Sequence, residues 1–144
     1  MAKYAQGTFA PKNPQKYVGK HQPRYRSGWE LSMMRFLDEN KNVTQWSSES
    51  IKIPYRHPFT NKQTIYVPDF LIVYVDKTGK QHAELIEVKP LKQTSLLEAG
   101  KSKSAQVAAI INKFKWEAAQ QWCKRMGIAF RVITENDLFR NGSR

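Results

Sequence analysis

Two apolar segments that each carry one acidic residue constrain the fold of this chain most. They cover residues 65–75, with Asp69, and residues 81–89, with Glu87, and a turn-forming sequence lies between them. These features predict a β-hairpin. A three-residue loop that ends with Gly79 in the left-handed conformation places Asp69 directly opposite Glu87. Directly opposite side chains point to the same face, with their Cβ atoms about 4.5–5.5 Å apart.

The predicted hairpin brings together two carboxylates and one ammonium, because Lys89 lies two residues beyond Glu87 and strand side chains alternate with a period of two. Like charges directly opposite each other destabilise a sheet, and a divalent cation between them removes the repulsion. Mg²⁺ takes one or two carboxylates together with water and phosphate oxygens, which fits Asp69 and Glu87. The alternative is a surface hairpin whose acid pair is neutralised by Lys89. The apolar flanks argue against it, since charges in a buried sheet are costly unless they are paired or bound to a metal.

The chain is strongly basic, with 24 lysines and arginines against 12 acidic residues and a net charge of +12. This excess predicts a polyanionic partner, and we expect DNA because no basic amphipathic helix with a bulky apolar face stands out. The sequence contains no run of about 18 apolar residues, so no membrane span is predicted. The single cysteine, Cys123, excludes an internal disulfide and fits a reducing cytoplasm. The three histidines lack zinc-ligand spacing, and no small-molecule cofactor beyond the metal is expected.

The charged residues of the hairpin also carry a resemblance to a known superfamily. Pro68-Asp69, followed by Glu87-Val88-Lys89, resembles the signature of the PD-(D/E)XK nucleases. The chain is further similar to the head-completion nucleases of tailed phages, and distantly to the endonuclease subunit of heteromeric transposases. The segments that carry this longer similarity are 12–17, 25–30, 45–49 and 115–119.

The resemblance implies a metal-dependent DNA endonuclease whose product carries a 5′-phosphate. Asp69, Glu87 and the carbonyl of Val88 would then hold Mg²⁺, for which Mn²⁺ can substitute. Lys89 would assist the attacking water, and Glu30 from the first helix would enter the active site as an accessory acid. The implied setting is phage head completion after DNA packaging, with head, portal or neck proteins as partners. The implied location is the cytoplasm of the infected host cell, or the virion.

Two other functions are open. The chain could be a structural head or neck protein that uses a nuclease fold only to bind DNA. The combination of Asp69, Glu87 and Lys89 favours catalysis, since a pure binder has no need of an acid pair beside phosphate. A transposase endonuclease subunit would need a partner protein, and the short C-terminus leaves little room for an interaction domain.

Two basic segments supply candidate DNA contacts. Residues 1–26 hold no acid and contain prolines that prevent a long helix, so we predict an extended arm before a nuclease domain at 27–139. Residues 91–103, directly after the strand that ends at Lys89, are predicted to be a mobile loop at the substrate mouth. The alternatives are a disordered basic tail and a merely solvated surface. The candidate contacts are Lys12, Lys16, Arg24, Arg26, Lys92, Gln93, Lys101 and Lys103.

The first helix, predicted over residues 27–40, leaves two alternatives for Glu30. Ser27 followed by Glu30 is a capping-box pattern, in which the glutamate side chain reaches back to the Ser27 amide. The resemblance places the same glutamate in the active site. We expect one residue not to serve both roles, and we favour the active site.

The remaining pattern predicts an α/β, single-domain, restriction-endonuclease-like fold with a mixed four-stranded sheet flanked by helices. The last strand follows a helix and should lie parallel to its neighbour. The further predicted elements are a strand at 45–55, a polar loop at 56–64 with a turn at Asn61, a helix at 104–126, a strand at 129–133, a short helix that ends at 139 and a tail at 140–144. The predicted buried face of the long helix consists of Val107, Ile111, Phe114, Ala118 and Trp122.

Overall fold

Eight strands and four α-helices lie along residues 6–141, the part of the chain that the computed structural model describes. In chain order they are β1 Gly7–Thr8, β2 Arg24–Tyr25, α1 Gly28–Glu39, β3 Val43–Ser48, β4 Ile53–Arg56, β5 Gln63–Tyr66, β6 Phe70–Val75, β7 Gln81–Val88, α2 Leu96–Ala99, α3 Lys103–Met126, β8 Ala129–Ile133 and α4 Glu135–Asn141. The first five residues of the predicted arm and residues 142–144 of the predicted tail lie outside the described residues. None of the described helices is long and apolar enough to cross a membrane.

The central sheet has the strand order β3-β6-β7-β8. Its neighbours are antiparallel except for β7 and β8, which are parallel, so the predicted mixed four-stranded sheet and the parallel last strand are confirmed. On one face, Met34 and Leu37 of α1 join Trp46 and Ile86 in a buried cluster. On the other face, α3 and the β4–β5 pair enclose Leu85 in a second cluster. The sheet is therefore covered on both faces, which explains the near-continuous apolar runs of its central strands.

The β6–β7 hairpin has the register that the sequence predicts. Phe70 pairs with Ile86, and the Asp76 N–H donates to the Lys80 carbonyl at 2.9 Å to close the loop. Gly79 has a φ of +85°, the left-handed conformation that a side chain disfavours. The short loop and the two-residue period of the strands together fix which side chains face each other at the far end of the hairpin.

The single strand predicted over residues 45–55 is wrong, because the chain turns at Glu49 and makes two strands. Glu49 has a φ of +51°, and β4 leaves the central sheet to pair with β5 in a separate two-stranded ribbon, called here the β4–β5 ribbon. Consequently β5 includes the end of the predicted polar loop. It also includes Ile65 and Tyr66, which the prediction assigned to the hairpin. The predicted turn at Asn61 is confirmed by its φ of +57°.

The segment predicted as a loop at 91–103 is mostly helical. A 3-10 turn at Leu91–Gln93 precedes α2, and the Asn112 side-chain amide of α3 donates to the Gln93 carbonyl at 3.0 Å. The prediction of a loop is therefore wrong, since this segment is a 3-10 turn and a short helix and is joined to α3 by a part-buried hydrogen bond.

The predicted buried face of α3 is wrong at two of its five residues, whereas Ala118 and Trp122 pack against the second cluster and Ile111 is partly buried. Val107 and Phe114 are 46% and 41% exposed, and the side chains that the fold buries are Ala105, Ala109, Asn112, Ala119 and Cys123. Small residues on this face let the helix lie close to its neighbours. The positions of the large apolar side chains were therefore a poor guide to the buried face of this helix.

The described part of the N-terminal arm folds onto the domain. β1 pairs with β2, and Phe9 and Tyr17 pack against the buried Trp46. The carboxylate of Asp38, only 1% exposed, accepts the backbone N–H groups of Lys12 (2.9 Å) and residue 13 (3.0 Å). From residue 6 onward the arm is therefore an ordered layer beside α1 rather than a disordered tail.

Candidate active site

The acid pair lies at the open end of the β6–β7 hairpin. One step beyond the pairing of Phe70 with Ile86, Asp69 comes opposite Glu87, and Asp69 Oδ2 accepts the Val88 N–H at 2.7 Å. Glu87 is only 4% exposed, and β8 flanks β7 on the edge away from β6. The register thus brings two carboxylates onto one face of a covered sheet.

Lys89 completes the cluster that the sequence predicts. Its ammonium lies 3.7 Å from Glu87 Oε2, and its side chain is 28% exposed. Its backbone N–H donates to the Ile133 carbonyl at 2.9 Å, so β8 fixes the position of Lys89 just after β7 ends. The ammonium therefore stands between the buried acid pair and solvent.

Burial dominates the electrostatics of the pair. It raises the pKa of Asp69 well above its ordinary value, and the charges of Glu87 and Glu30 raise that pKa further. Burial also raises the pKa of Glu87, against the opposing effect of the Lys89 charge. The folded protein therefore disfavours the charged form of both carboxyls.

The donor set at this position fits a hard divalent cation. Glu87 Oε1 is buried and has no hydrogen-bond partner among the described residues, although buried polar atoms are nearly always paired. Residues 6–141 contain no group of three or more His, Cys, Asp and Glu side chains arranged to hold a metal. A cation here would therefore draw on two carboxylates, a backbone carbonyl and oxygens from water or phosphate, which is the coordination that Mg²⁺ favours.

Glu30 lies in the first turn of α1, where its backbone and its side chain make different hydrogen bonds. Ser27 Oγ accepts the Glu30 N–H at 3.2 Å, and Glu30 Oε1 accepts the Arg26 N–H at 3.1 Å. The predicted bond to the Ser27 amide is thus replaced by one to the preceding residue. Burial raises the pKa of this carboxyl against the opposing hydrogen bond from Arg26, and the charge of Glu30 in turn raises the pKa of Asp69, so Glu30 lies within electrostatic range of the acid pair. An active-site role of Glu30 stays a prediction.

Arg26 belongs to the rim of this site. Its guanidinium donates to both Glu49 oxygens, at 3.0 and 3.3 Å, and the Glu49 N–H donates to the Asp69 carbonyl at 2.9 Å. A left-handed backbone is uncommon for a glutamate and is often held in place at functional sites. Arg26 was predicted as a DNA contact, and its ion pair links the arm to the segment that positions Asp69.

Sequence reasoning missed two residues that face the acid pair. Tyr66 of β5 is 3% exposed, and its buried hydroxyl lies near Glu87 without a well-formed hydrogen bond within the described residues. Burial and the charge of Glu87 raise its pKa. The Lys115 ammonium of α3 lies 5.6 Å from the centre of the Tyr66 ring. The segment 115–119 carried part of the family resemblance, but nothing in the sequence placed it at the hairpin.

The other candidate DNA contacts lie outside the acid pair and differ in their surroundings. Lys16 donates to the carbonyls of Asp38 and Asn40, both at 2.8 Å, at the C-terminal end of α1. This position gives Lys16 a helix-capping contact that the sequence did not suggest. The Gln93 side chain is half-buried. The exposed candidates are Lys12, Arg24, Lys92, Lys101 and Lys103.

A buried acid pair beside a lysine, on a mixed sheet covered by helices, defines a nuclease-type α/β protein. Residues 40–135 match the family described as TnsA-like endonuclease N terminal, and the chain belongs to this family. It is also 34% identical over 142 residues to the head completion nuclease of Enterobacteria phage T4, a match that covers 92% of each chain. Both similarities support a nuclease function and confirm the resemblance. The family match includes Asp69, Glu87 and Lys89, whereas Glu30 precedes it.

Proposed function

We propose that this protein is a metal-dependent DNA endonuclease that acts in phage head completion after DNA packaging. The observation that carries this proposal is the pairing of Asp69 with Glu87 in a covered sheet, with the Lys89 ammonium 3.7 Å from Glu87. A structural protein has no physical reason to bury two uncompensated carboxylates at a strand end. The name of the phage T4 relative supports the setting.

The cofactor that we propose is Mg²⁺, for which Mn²⁺ can substitute, held by Asp69, Glu87 and the Val88 carbonyl. When bound, such an ion lowers the pKa of water and offsets charge on the phosphate. Lys89 is partly exposed and bears a fixed positive charge, so it can orient the attacking water and stabilise negative charge as it develops. Glu30 serves as an accessory acid. The expected product carries a 5′-phosphate.

The substrate is DNA, and the excess of basic residues provides the attraction. The exposed basic residues of the arm and of the segment after β7 are the proposed phosphate contacts. We further propose head, portal or neck proteins as partners, and action in the cytoplasm of the infected host cell or at the virion.

Supercoiled plasmid incubated with the protein in Mg²⁺, in Mn²⁺ and in EDTA tests the function. Nicking is expected with either metal and not in EDTA. Asp69→Ala and Glu87→Ala should each abolish nicking while DNA binding in EDTA persists, and Lys89→Ala should slow turnover by at least ~10²-fold. Nicking in EDTA would overturn the metal assignment. DNA binding by the wild type without nicking in any metal would favour the structural DNA-binding function instead.

A further inference from the structure

Lys115 is a half-buried cation without a close anionic partner. It forms no hydrogen bond and no salt bridge within 4.0 Å in the described part of the chain. Its nearest defined contact is the ring of Tyr66, whose centre lies 5.6 Å from the ammonium. A cation over an aromatic face is attracted by the ring, so the ribbon holds the end of this flexible side chain in place.

The position of Lys115 matters because it lies within electrostatic range of the acid pair. The charges of Glu87 and Asp69 favour its ammonium, whereas burial and the neighbouring Lys89 disfavour it more strongly, so its pKa is lowered. If Lys115 served only to neutralise the carboxylates, a close ion pair such as that of Lys89 would be expected. The fold instead brings a second positive charge to the site and leaves it without a close ion pair.

A DNA backbone phosphate supplies the missing partner. The acid pair alone repels phosphate, and a phosphodiester that approaches it needs positive charge on more than one side. We propose, on the basis of the endonuclease function above, that Lys115 binds a non-bridging oxygen of the backbone phosphate at the acid pair, with the Tyr66 ring holding its ammonium. Lys89 and Lys115 then contact this phosphate region from β7 and from α3.

The experiment compares the full-length wild type with Lys115→Met, Lys115→Arg and Lys124→Met. Lys124 is an exposed lysine of the same helix, in its last turn at the opposite end of the sheet from the acid pair, and serves as the matched control. Three quantities are measured: the single-turnover cleavage rate at saturating duplex DNA in Mg²⁺, the salt dependence of DNA affinity in EDTA, and the thermal midpoint in EDTA.

Lys115→Met should lower the single-turnover rate by at least ~10²-fold, and Lys115→Arg should recover at least ~10-fold because it keeps the charge. The log–log salt slope of binding should fall by about 0.9 in Lys115→Met, the value for one phosphate contact. The thermal midpoint of Lys115→Met should not fall, since no ion pair is lost. Lys124→Met should match the wild type in rate and midpoint.

Wild-type cleavage and an unchanged salt slope in Lys115→Met would overturn the proposal. A lower thermal midpoint in Lys115→Met, large enough to explain its loss of activity, would also overturn the proposal. Lys115 would then stabilise the fold by neutralising the acid pair. If the wild type does not cleave in any metal, the endonuclease function fails. The salt slope in EDTA still decides whether Lys115 contacts phosphate.

Discussion

At the scale of single residues, burial suits Asp69 and Glu87 to binding a cation. The same burial makes their negative charges destabilising when no cation is bound. Burial raises the pKa of both carboxyls above the ordinary values. An acid whose pKa is raised by folding binds its proton more tightly in the folded state. The contribution of these two carboxyls to stability is therefore greatest at low pH and falls as pH rises from about 4, the value of an unfolded carboxyl, through the raised value.

Asp69→Asn is expected to raise the free energy of unfolding at neutral pH in EDTA, because it removes a buried like charge. The amide oxygen can still accept the Val88 N–H. Urea unfolding between about pH 4 and pH 8 measures the effect, and the wild type should lose more stability than the variant across that range. Mg²⁺ should reduce the difference in the free energy of unfolding between the variant and the wild type, since it stabilises the protein whose site binds it.

Asp76, at the other end of the same hairpin, is a matched control whose pKa is shifted in the opposite direction. Hydrogen bonds from Thr78 and His82 lower the pKa of its exposed carboxyl. Its stabilising contribution is present above the unfolded pKa of about 4 and is lost as pH falls toward the lowered value. Asp76→Asn should therefore lower stability at neutral pH. A shift of both variants in the same direction would mean that burial is not what distinguishes Asp69.

Glu30→Gln separates the two environments of Glu30. A glutamine oxygen can still accept the Arg26 N–H, so the free energy of unfolding should stay within about 0.5 kcal/mol of the wild type. A glutamine cannot carry the charge that an accessory acid needs. Plasmid nicking at limiting Mg²⁺ should therefore fall strongly. Wild-type nicking by this variant would leave Asp69, Glu87 and Lys89 as the minimal site.

At the scale of elements, the sequence predicts best where a short loop and strand periodicity act together. The register that pairs Asp69 with Glu87 depends on three loop residues and a period of two, both visible locally. The β4–β5 ribbon was missed because Glu49 adopts a left-handed backbone that a glutamate does not signal. The sequence did not place Lys115 beside Tyr66 and the acid pair, because that contact depends on how α3 packs, which no local pattern encodes.

Lys16→Met should destabilise the protein by about 1 kcal/mol, because it removes charged hydrogen bonds to the carbonyls that end α1. Its effect on the salt slope of DNA binding should be small, since the ammonium is already engaged. Lys12→Met is the control: this side chain is 81% exposed and makes only a 3.8 Å ion pair with Glu39, so stability should change by less than about 0.5 kcal/mol. A larger loss of stability in Lys12→Met than in Lys16→Met would contradict the capping role.

At the scale of the whole molecule, the N-terminal arm has to be treated as part of the fold. Tyr17 and Phe9 pack on Trp46, and the backbone of the arm satisfies the buried carboxylate of Asp38. Removing the arm would therefore unfold part of the domain and leave its contribution to DNA binding unmeasured. To measure how the charge of the arm contributes to DNA binding, its charged side chains have to be replaced while its backbone stays in place.

A triple variant, Lys12→Gln, Lys20→Gln and Arg24→Gln, does this, because all three side chains are exposed. If each contacts a duplex phosphate, the log–log salt slope of DNA binding should fall by up to about 2.7, from ~0.9 for each contact. Affinity should fall evenly across DNA sequences, since phosphate contacts carry no base information. Fluorescence anisotropy over a salt series in EDTA measures the slope, and a triple variant at Lys77, Lys80 and Lys124, three exposed lysines outside the arm, is the charge-matched control. Equal slopes for the two triple variants would mean that the net charge, and not the arm, attracts DNA.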